Sequence, residues 1–227
     1  MPGYRFSLDP RSLLALVALC WLASFAHEFT HHLVGLALCG PGGRMSLSLF
    51  ALADSCDARW PWTTAAGPAL SYLLMWAGMA LVLRGRAIWW GFALVIANKP
   101  LMRLLTVATG GGDEGRLWSL IAPRAAPWPA TATVLALVLP PLWACWRALP
   151  PGRRGWMLPA ALLLPMLPLL GVPAIDAAVY GDWIHGRIVL LAALGVPYSV
   201  WATEIGVLLL LCLGLGMQAA WRHGGPR

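Results

Sequence analysis

Residues 13–38 read LLALVALCWLASFAHEFTHHLVGLAL. A helix rising 1.5 Å per residue needs about 20 mostly apolar residues to cross a bilayer core, and this run supplies them. Inside it lie three imidazoles and a carboxylate: His27, Glu28, His31 and His32. An ionisable group at mid-membrane costs at least ~2.5 kcal/mol even on lenient insertion scales, so such a group is read as functional by default. One segment therefore sets both the fold, a membrane helix, and the place where chemistry is to be sought.

The rest of the chain has the same character. Of 227 residues, 59% are hydrophobic and 11% charged, whereas globular domains carry about 25% charged residues. Fourteen Trp fit a bilayer protein, because Trp concentrates at the membrane interface. The net charge is +7, but its sixteen Lys and Arg come in ones and twos between apolar runs. That is how membrane helices are flanked, and it argues for a lipid bilayer and against a nucleic-acid partner. Cys20, Cys145 and Cys212 lie in apolar runs as small hydrophobes. Cys39 and Cys56 lie in a polar loop and can pair if it faces an oxidising compartment.

Six spans follow, at about 12–38, 63–83, 87–108, 129–149, 156–178 and 199–221. The stretch Ile188–Trp221 is too long for one span and Pro197 divides it, so 188–197 is expected to lie in the interface or re-enter. Loops are short and there is no internal repeat. The expected fold class is an all-α membrane protein: a bundle of about six transmembrane helices in a single polytopic domain, 1–227. Its metal-site core covers about 12–117 and its accessory helices about 129–221.

Lys and Arg bias sets the orientation. One side collects Arg5, Arg11, Arg84, Arg86, Arg147, Arg153, Arg154, Arg222 and Arg227. The other has Arg44, Arg59, Arg116, Arg124 and Arg187, offset by Asp54, Asp57, Asp113, Glu114 and Asp182. Both termini are accordingly expected in the cytoplasm, in a bacterial inner or plasma membrane. The start also has the look of a secretory signal, with Arg5, Arg11, an apolar run and Ser24-Phe25-Ala26 before His27. Apolar character resumes at Leu33, however, and cleavage would leave half a span, so the segment is read as a membrane helix.

On a helix, His27 and His31 stand four residues apart, about 40° around the axis. Both imidazoles can reach one tetrahedral Zn²⁺, which takes nitrogen ligands at about 2.0–2.1 Å. Glu28 is rotated about 100° from His27, beside the metal, where a carboxylate can take a proton from water and later return it to a leaving amine. This is the His-Glu-x-x-His arrangement of metalloproteases. His32 shares the face of Glu28 and is expected to bond that base or to meet loop water, not to bind metal.

Two histidines leave the metal short of a third protein ligand. Asp113, Glu114, Asp176 and Glu204 are the candidates. Asp113 and Glu114 follow Gly110-Gly111-Gly112, which permits a tight bend, whereas Asp176 and Glu204 sit at span boundaries, where acids are usually solvated caps. His27 lies fifteen residues beyond Ser12, roughly 22 Å along the helix and so near the far side. The 109–116 loop emerges on that same side. Lys99, well inside a span, must snorkel or face a polar cavity.

With these elements in view, the sequence resembles the site-2 protease family of intramembrane zinc metalloproteases. The resemblance covers about the first 117 residues. It rests on His27-Glu28-Phe29-Thr30-His31, on Ala66-Gly67-Pro68 in the next helix, and on Asn98, Pro100 and Asp113. Gly40-Pro41-Gly42-Gly43-Arg44 and the alternating tail to Phe50 look like the short strands that follow the motif helix, which implies a short β-hairpin there. The family's aspartate makes Asp113 the third ligand, with Glu114 the alternative. Ser71 stands where the family often has Asn, and Glu114 comes between Asp113 and Gly115. Well-known bacterial members place the site nearer the cytoplasm, whereas the arginine bias here places it nearer the outside.

The expected activity is that of a zinc metalloendopeptidase cutting a membrane-anchored protein. His27, His31 and Asp113 would hold Zn²⁺, Glu28 would be the base, and Asn98 would bind substrate backbone or the oxyanion. The alternatives are a non-catalytic scaffold of the same fold and a metal-ion transporter.

Overall fold

The computed structural model describes residues 9–53, 56, 60–124 and 127–224, with side chains described up to residue 215. Of the charges invoked for orientation, Arg5, Asp54, Asp57, Arg59, Arg222 and Arg227 lie outside what is described.

Helix α1 runs Pro10–Cys39. The Asp9 side chain caps it by accepting from the Ser12 amide at 2.8 Å, and Pro10, which has no N–H to leave unpaired, opens it. Gly40, at φ +83°, ends it. The remaining helices are α2 (Trp60–Leu83), α3 (Ile88–Ala97), α4 (Pro100–Ala108), α5 (Gly112–Ile121), α6 (Pro127–Ala148), α7 (Arg154–Leu163), α8 (Val172–Ile184) and α9 (Tyr198–Gly224). Six segments among the described residues are long and apolar enough to cross a membrane: Pro10–Cys39, Trp60–Leu83, Ile88–Ala108, Pro127–Ala148, Pro151–Ile184 and Tyr198–Leu215. They answer to the six spans expected. Leu209, Leu213 and Trp143 are exposed on the outside of the bundle, where lipid, not water, is the compatible solvent. The protein is an integral, multi-pass helical bundle.

Two spans are interrupted, for reasons visible in their prolines. Pro100 disfavours helical backbone at the residue before it, and Lys99 accordingly takes φ 53° between α3 and α4. In the fifth span Pro165 and Pro168 lie in a 3-10 stretch, Leu164–Leu169, between α7 and α8. Small residues allow close packing elsewhere. A Cβ added at Gly78 would sit 2.5 Å from the Gly91 carbonyl, so α2 and α3 touch backbone to backbone there.

Helix α1 is central and packs against α2, α3 and α9. After it, β1 (Arg44–Met45) pairs antiparallel with β2 (Phe50–Ala51), the expected hairpin. A disulfide between Cys39 and Cys56 closes the loop containing it. Residues 188–197 form a second antiparallel hairpin, β3 (Ala192–Ala193) with β4 (Val196–Pro197). Its two-residue turn, Leu194-Gly195, has positive φ at both positions, 55° and 72°, which suits the right-handed twist of a tight hairpin. The Met45 amide donates to the Gly195 carbonyl at 2.9 Å, so the two hairpins are joined.

Candidate metal centre

The side chains of His27 and His31 leave the same face of α1, as their spacing requires. Their Nε2 atoms are 3.1 Å apart. Asp113 comes to them from the first turn of α5: its Oδ2 is 3.2 Å from His27 Nε2 and 3.4 Å from His31 Nε2. In a tetrahedral site with ligands at about 2.0–2.2 Å, neighbouring ligand atoms lie about 3.3–3.6 Å apart. The triangle of 3.1, 3.2 and 3.4 Å is therefore close to one face of such a tetrahedron. Among the described residues these three form a group able to hold a metal ion. The donor set fits Zn²⁺, and equally another metal that accepts two imidazoles and a carboxylate.

The glycine turn explains how Asp113 arrives. Gly110 and Gly112 have φ of +76° and +82°, where a Cβ would be strained. Consecutive helix positions diverge by about 100°, so Asp113 and Glu114 face different partners. Glu114, 5% exposed, accepts from Tyr72 Oη at 2.6 Å and from Arg103 Nη1 at 2.7 Å. The structure brings Asp113, not Glu114, to the histidines. Burial pushes the Asp113 carboxyl up, but hydrogen bonds with His27 and His31 outweigh it and hold the group below its ordinary range.

Each imidazole is oriented from behind. His31 Nδ1 lies 2.6 Å from the Thr63 carbonyl, which can only accept, so the ring donates there and Nε2 keeps its lone pair. His27 Nδ1 has two neighbours, Ser71 Oγ at 3.1 Å and Arg103 Nη2 at 3.0 Å. Protonated, it donates to Ser71 and leaves Nε2 free for a metal. Bare, it accepts from Arg103, and Nε2–H turns to Asp113. Helix α2 makes room for both rings at Gly67: a Cβ there would collide with the His31 imidazole and lie 2.7 Å from His27 Cε1.

Glu28 is partly exposed and makes no hydrogen bond among the described residues. It lines two cavities that meet the metal group. The larger, about 560 Å³, runs along β2 past Leu49, Phe50, Thr64 and Asp113. The smaller, about 360 Å³, is bounded by His27, Asn98, Lys99, Arg103 and the apolar side chains of Met166 and Leu170. Asn98 donates to the Leu94 carbonyl at 2.8 Å, and its buried Oδ1 has no partner among the described residues.

Three expectations change. His32 neither bonds Glu28 nor meets water: it is 1% exposed and reaches the Leu194 carbonyl at 2.6 Å, where it secures the second hairpin. Asp176 is not a solvated cap. It is wholly buried and accepts from Ser46 Oγ, Ser48 Oγ and the amides of Leu47 and Ser48. Glu204 is also buried, accepting from Trp21 Nε1 at 2.8 Å. Neither joins the metal group, because each is held by another element.

Sequence reasoning passed over Arg103 and Tyr72, and noted Ser71 only as a departure from the family pattern. Arg103 carried a usable signal, a guanidinium inside the third span, where a charge needs a partner. Compared with protein-family models, curated proteins and solved structures, the chain matches none.

Proposed function

We propose that this chain is an intramembrane zinc metalloendopeptidase, similar in plan to the site-2 proteases, acting on a membrane-anchored protein. The observation that carries the reading is the near-tetrahedral face formed by His27, His31 and Asp113, with Glu28 unbonded beside it at the wall of both cavities. A bound Zn²⁺ would supply a Lewis acid that polarises a carbonyl and acidifies water. His27, His31 and Asp113 would hold the ion, with His27 oriented by Ser71 and His31 by Thr63. Glu28 takes the proton from the attacking water and delivers it to the leaving amine. The cavity along β2 admits an extended peptide, the form in which a substrate's carbonyls are free of helical hydrogen bonds.

The reading extends to orientation. The Cys39–Cys56 disulfide closes the loop whose residues Ser48–Phe50 line the larger cavity beside Asp113, and disulfides persist in oxidising compartments. Together with the arginine bias, this supports cytoplasmic termini and a site facing outward. A transporter would require a trail of ligands through the bilayer. The described residues offer a single cluster of three or more metal donors, which favours catalysis over conduction.

The test uses the full chain purified into lipid nanodiscs. Metal content is measured and cleavage of a tethered single-span substrate is followed, for wild type and for Glu28→Gln. Stoichiometric zinc in both proteins with cleavage in wild type only is expected. No zinc in wild type, or equal cleavage by both, would overturn the proposal; zinc retention without cleavage would point to the scaffold.

A further inference from the structure

The smaller chamber contains more polarity than metal ligation uses. Lys99 lies near the middle of its span, roughly 14–17 Å along the helix from either end, too deep to snorkel. Its left-handed backbone at φ 53° breaks the helix, the kind of strain that persists where surrounding structure enforces it. Among the described residues its ammonium makes no hydrogen bond and no ion pair within 4.0 Å. Yet it lines the chamber together with Glu28, Met166, Leu169 and Leu170. Next to it, Asn98 is 3% exposed, and neither its Oδ1 nor the buried Arg103 Nε has a partner among the described residues. Buried polar groups without partners ask for a ligand.

The charges state which sign. Glu114 is matched by Arg103 at 2.7 Å, and Asp113 sits between two imidazoles. Glu28 and Lys99 balance each other, so a dication at the centre leaves the chamber positive. We infer that Lys99 forms a carboxylate subsite in this chamber, with Asn98 beside it as the acceptor for a peptide N–H. The site then takes an apolar peptide segment carrying a carboxylate, at a chain end or on an Asp or Glu side chain, beside the bond presented to Glu28. The ammonium meets the carboxylate, Asn98 Oδ1 accepts a backbone N–H, and the Met166–Leu170 wall covers the apolar part. The inference rests on the protease reading for the identity of the bound segment.

The test is binding to the full-length Glu28→Gln protein in nanodiscs, zinc-loaded, followed by fluorescence anisotropy. The probes are a short apolar fluorescent peptide with a free C-terminal carboxylate, the same peptide as its C-terminal amide, and that amide with one internal Glu. The acid is expected to bind at least tenfold tighter than the amide. Lys99→Met in the same background abolishes the preference, and Lys99→Arg restores it. Tight binding of the Glu-bearing amide assigns the recognition to any carboxylate, and weak binding restricts it to chain ends. Equal affinity for acid and amide with Lys99 intact, or an unchanged ratio in Lys99→Met, would overturn the subsite. Each ratio compares two peptides on one protein, so a partly misfolded variant does not imitate the result. Acid preference without wild-type cleavage would sink the protease reading alone, and cleavage without preference would sink the subsite alone.

Discussion

The ring of Phe50 lies flat against the imidazole of His31, with centroids 4.9 Å apart and planes 13° from parallel. This contact ties the first hairpin to the metal group, because Phe50 belongs to β2 and His31 to α1. The imidazole is thus held by a carbonyl at one edge and an aromatic face on its flank. Stacked aromatic pairs are worth about 0.5–1.5 kcal/mol beyond their buried area. Phe50→Ala is therefore expected to weaken zinc affinity about two- to tenfold by that free energy, while Phe50→Tyr stays near wild type. Competition with a chromophoric chelator measures it, and unchanged affinity in Phe50→Ala would remove the hairpin from any role in holding the metal.

Gly67 is the tightest steric constraint at the centre. Any Cβ meets the His31 ring and crowds His27 Cε1 at 2.7 Å, and neither ring can retreat, since each is bonded from behind. Gly67→Ala is expected to abolish stoichiometric zinc binding in the membrane-inserted protein. Gly155→Ala, at a helical position with open space around it, serves as the control and keeps the metal. Zinc retained at one equivalent by Gly67→Ala would show that the two helices are looser than the structure has them.

The sequence made the helices and the two-histidine face legible, because both follow from period and span length alone. Asp113 was singled out by the family resemblance, whereas the residues alone left it one of several acids: which of Asp113 and Glu114 reaches the histidines depends on the positive-φ turn at Gly110–Gly112. The hairpin at 192–197 was not legible, since Leu194-Gly195 lacks the usual Asn-Gly signature and sits in a run apolar enough for a helix. Asp176 was misread because a boundary acid is normally solvated; its partners, Ser46 to Ser48, lie some 130 residues away in sequence. Long-range polar pairing of this sort leaves no periodic trace.

Asp176 leads to a prediction about order. Its carboxylate terminates four donors from the turn between β1 and β2, and leaving a buried donor unsatisfied costs about 1–3 kcal/mol. Asp176→Ala is expected to destabilise the protein by at least about 3 kcal/mol, taking the lower half of that range for several donors at once. Hydrogen exchange should quicken selectively at residues 45–51. If the amides of Leu47 and Ser48 exchange as slowly as in wild type, the carboxylate is not what secures the turn.

The pair Arg103–Glu114 provides the last prediction. Both side chains are largely buried, 12% and 6% exposed, and the guanidinium also lies over the Tyr72 ring and beside His27 Nδ1. Removing one partner of a buried pair costs about 3–5 kcal/mol, because the other charge is stranded. Arg103→Met should therefore be strongly destabilising alone and largely rescued by Glu114→Gln, which removes the stranded charge. The double variant has a second consequence. Without the guanidinium, His27 Nδ1 loses one donor that favours its bare form, which shifts the balance toward Nδ1–H donating to Ser71, the arrangement that frees Nε2. Zinc affinity in Arg103→Met/Glu114→Gln is thus expected to equal or exceed that of wild type, while thermal stability falls only slightly. Weaker zinc binding in a well-folded double variant would show that Arg103 supports the metal-binding form of His27 instead of competing with it.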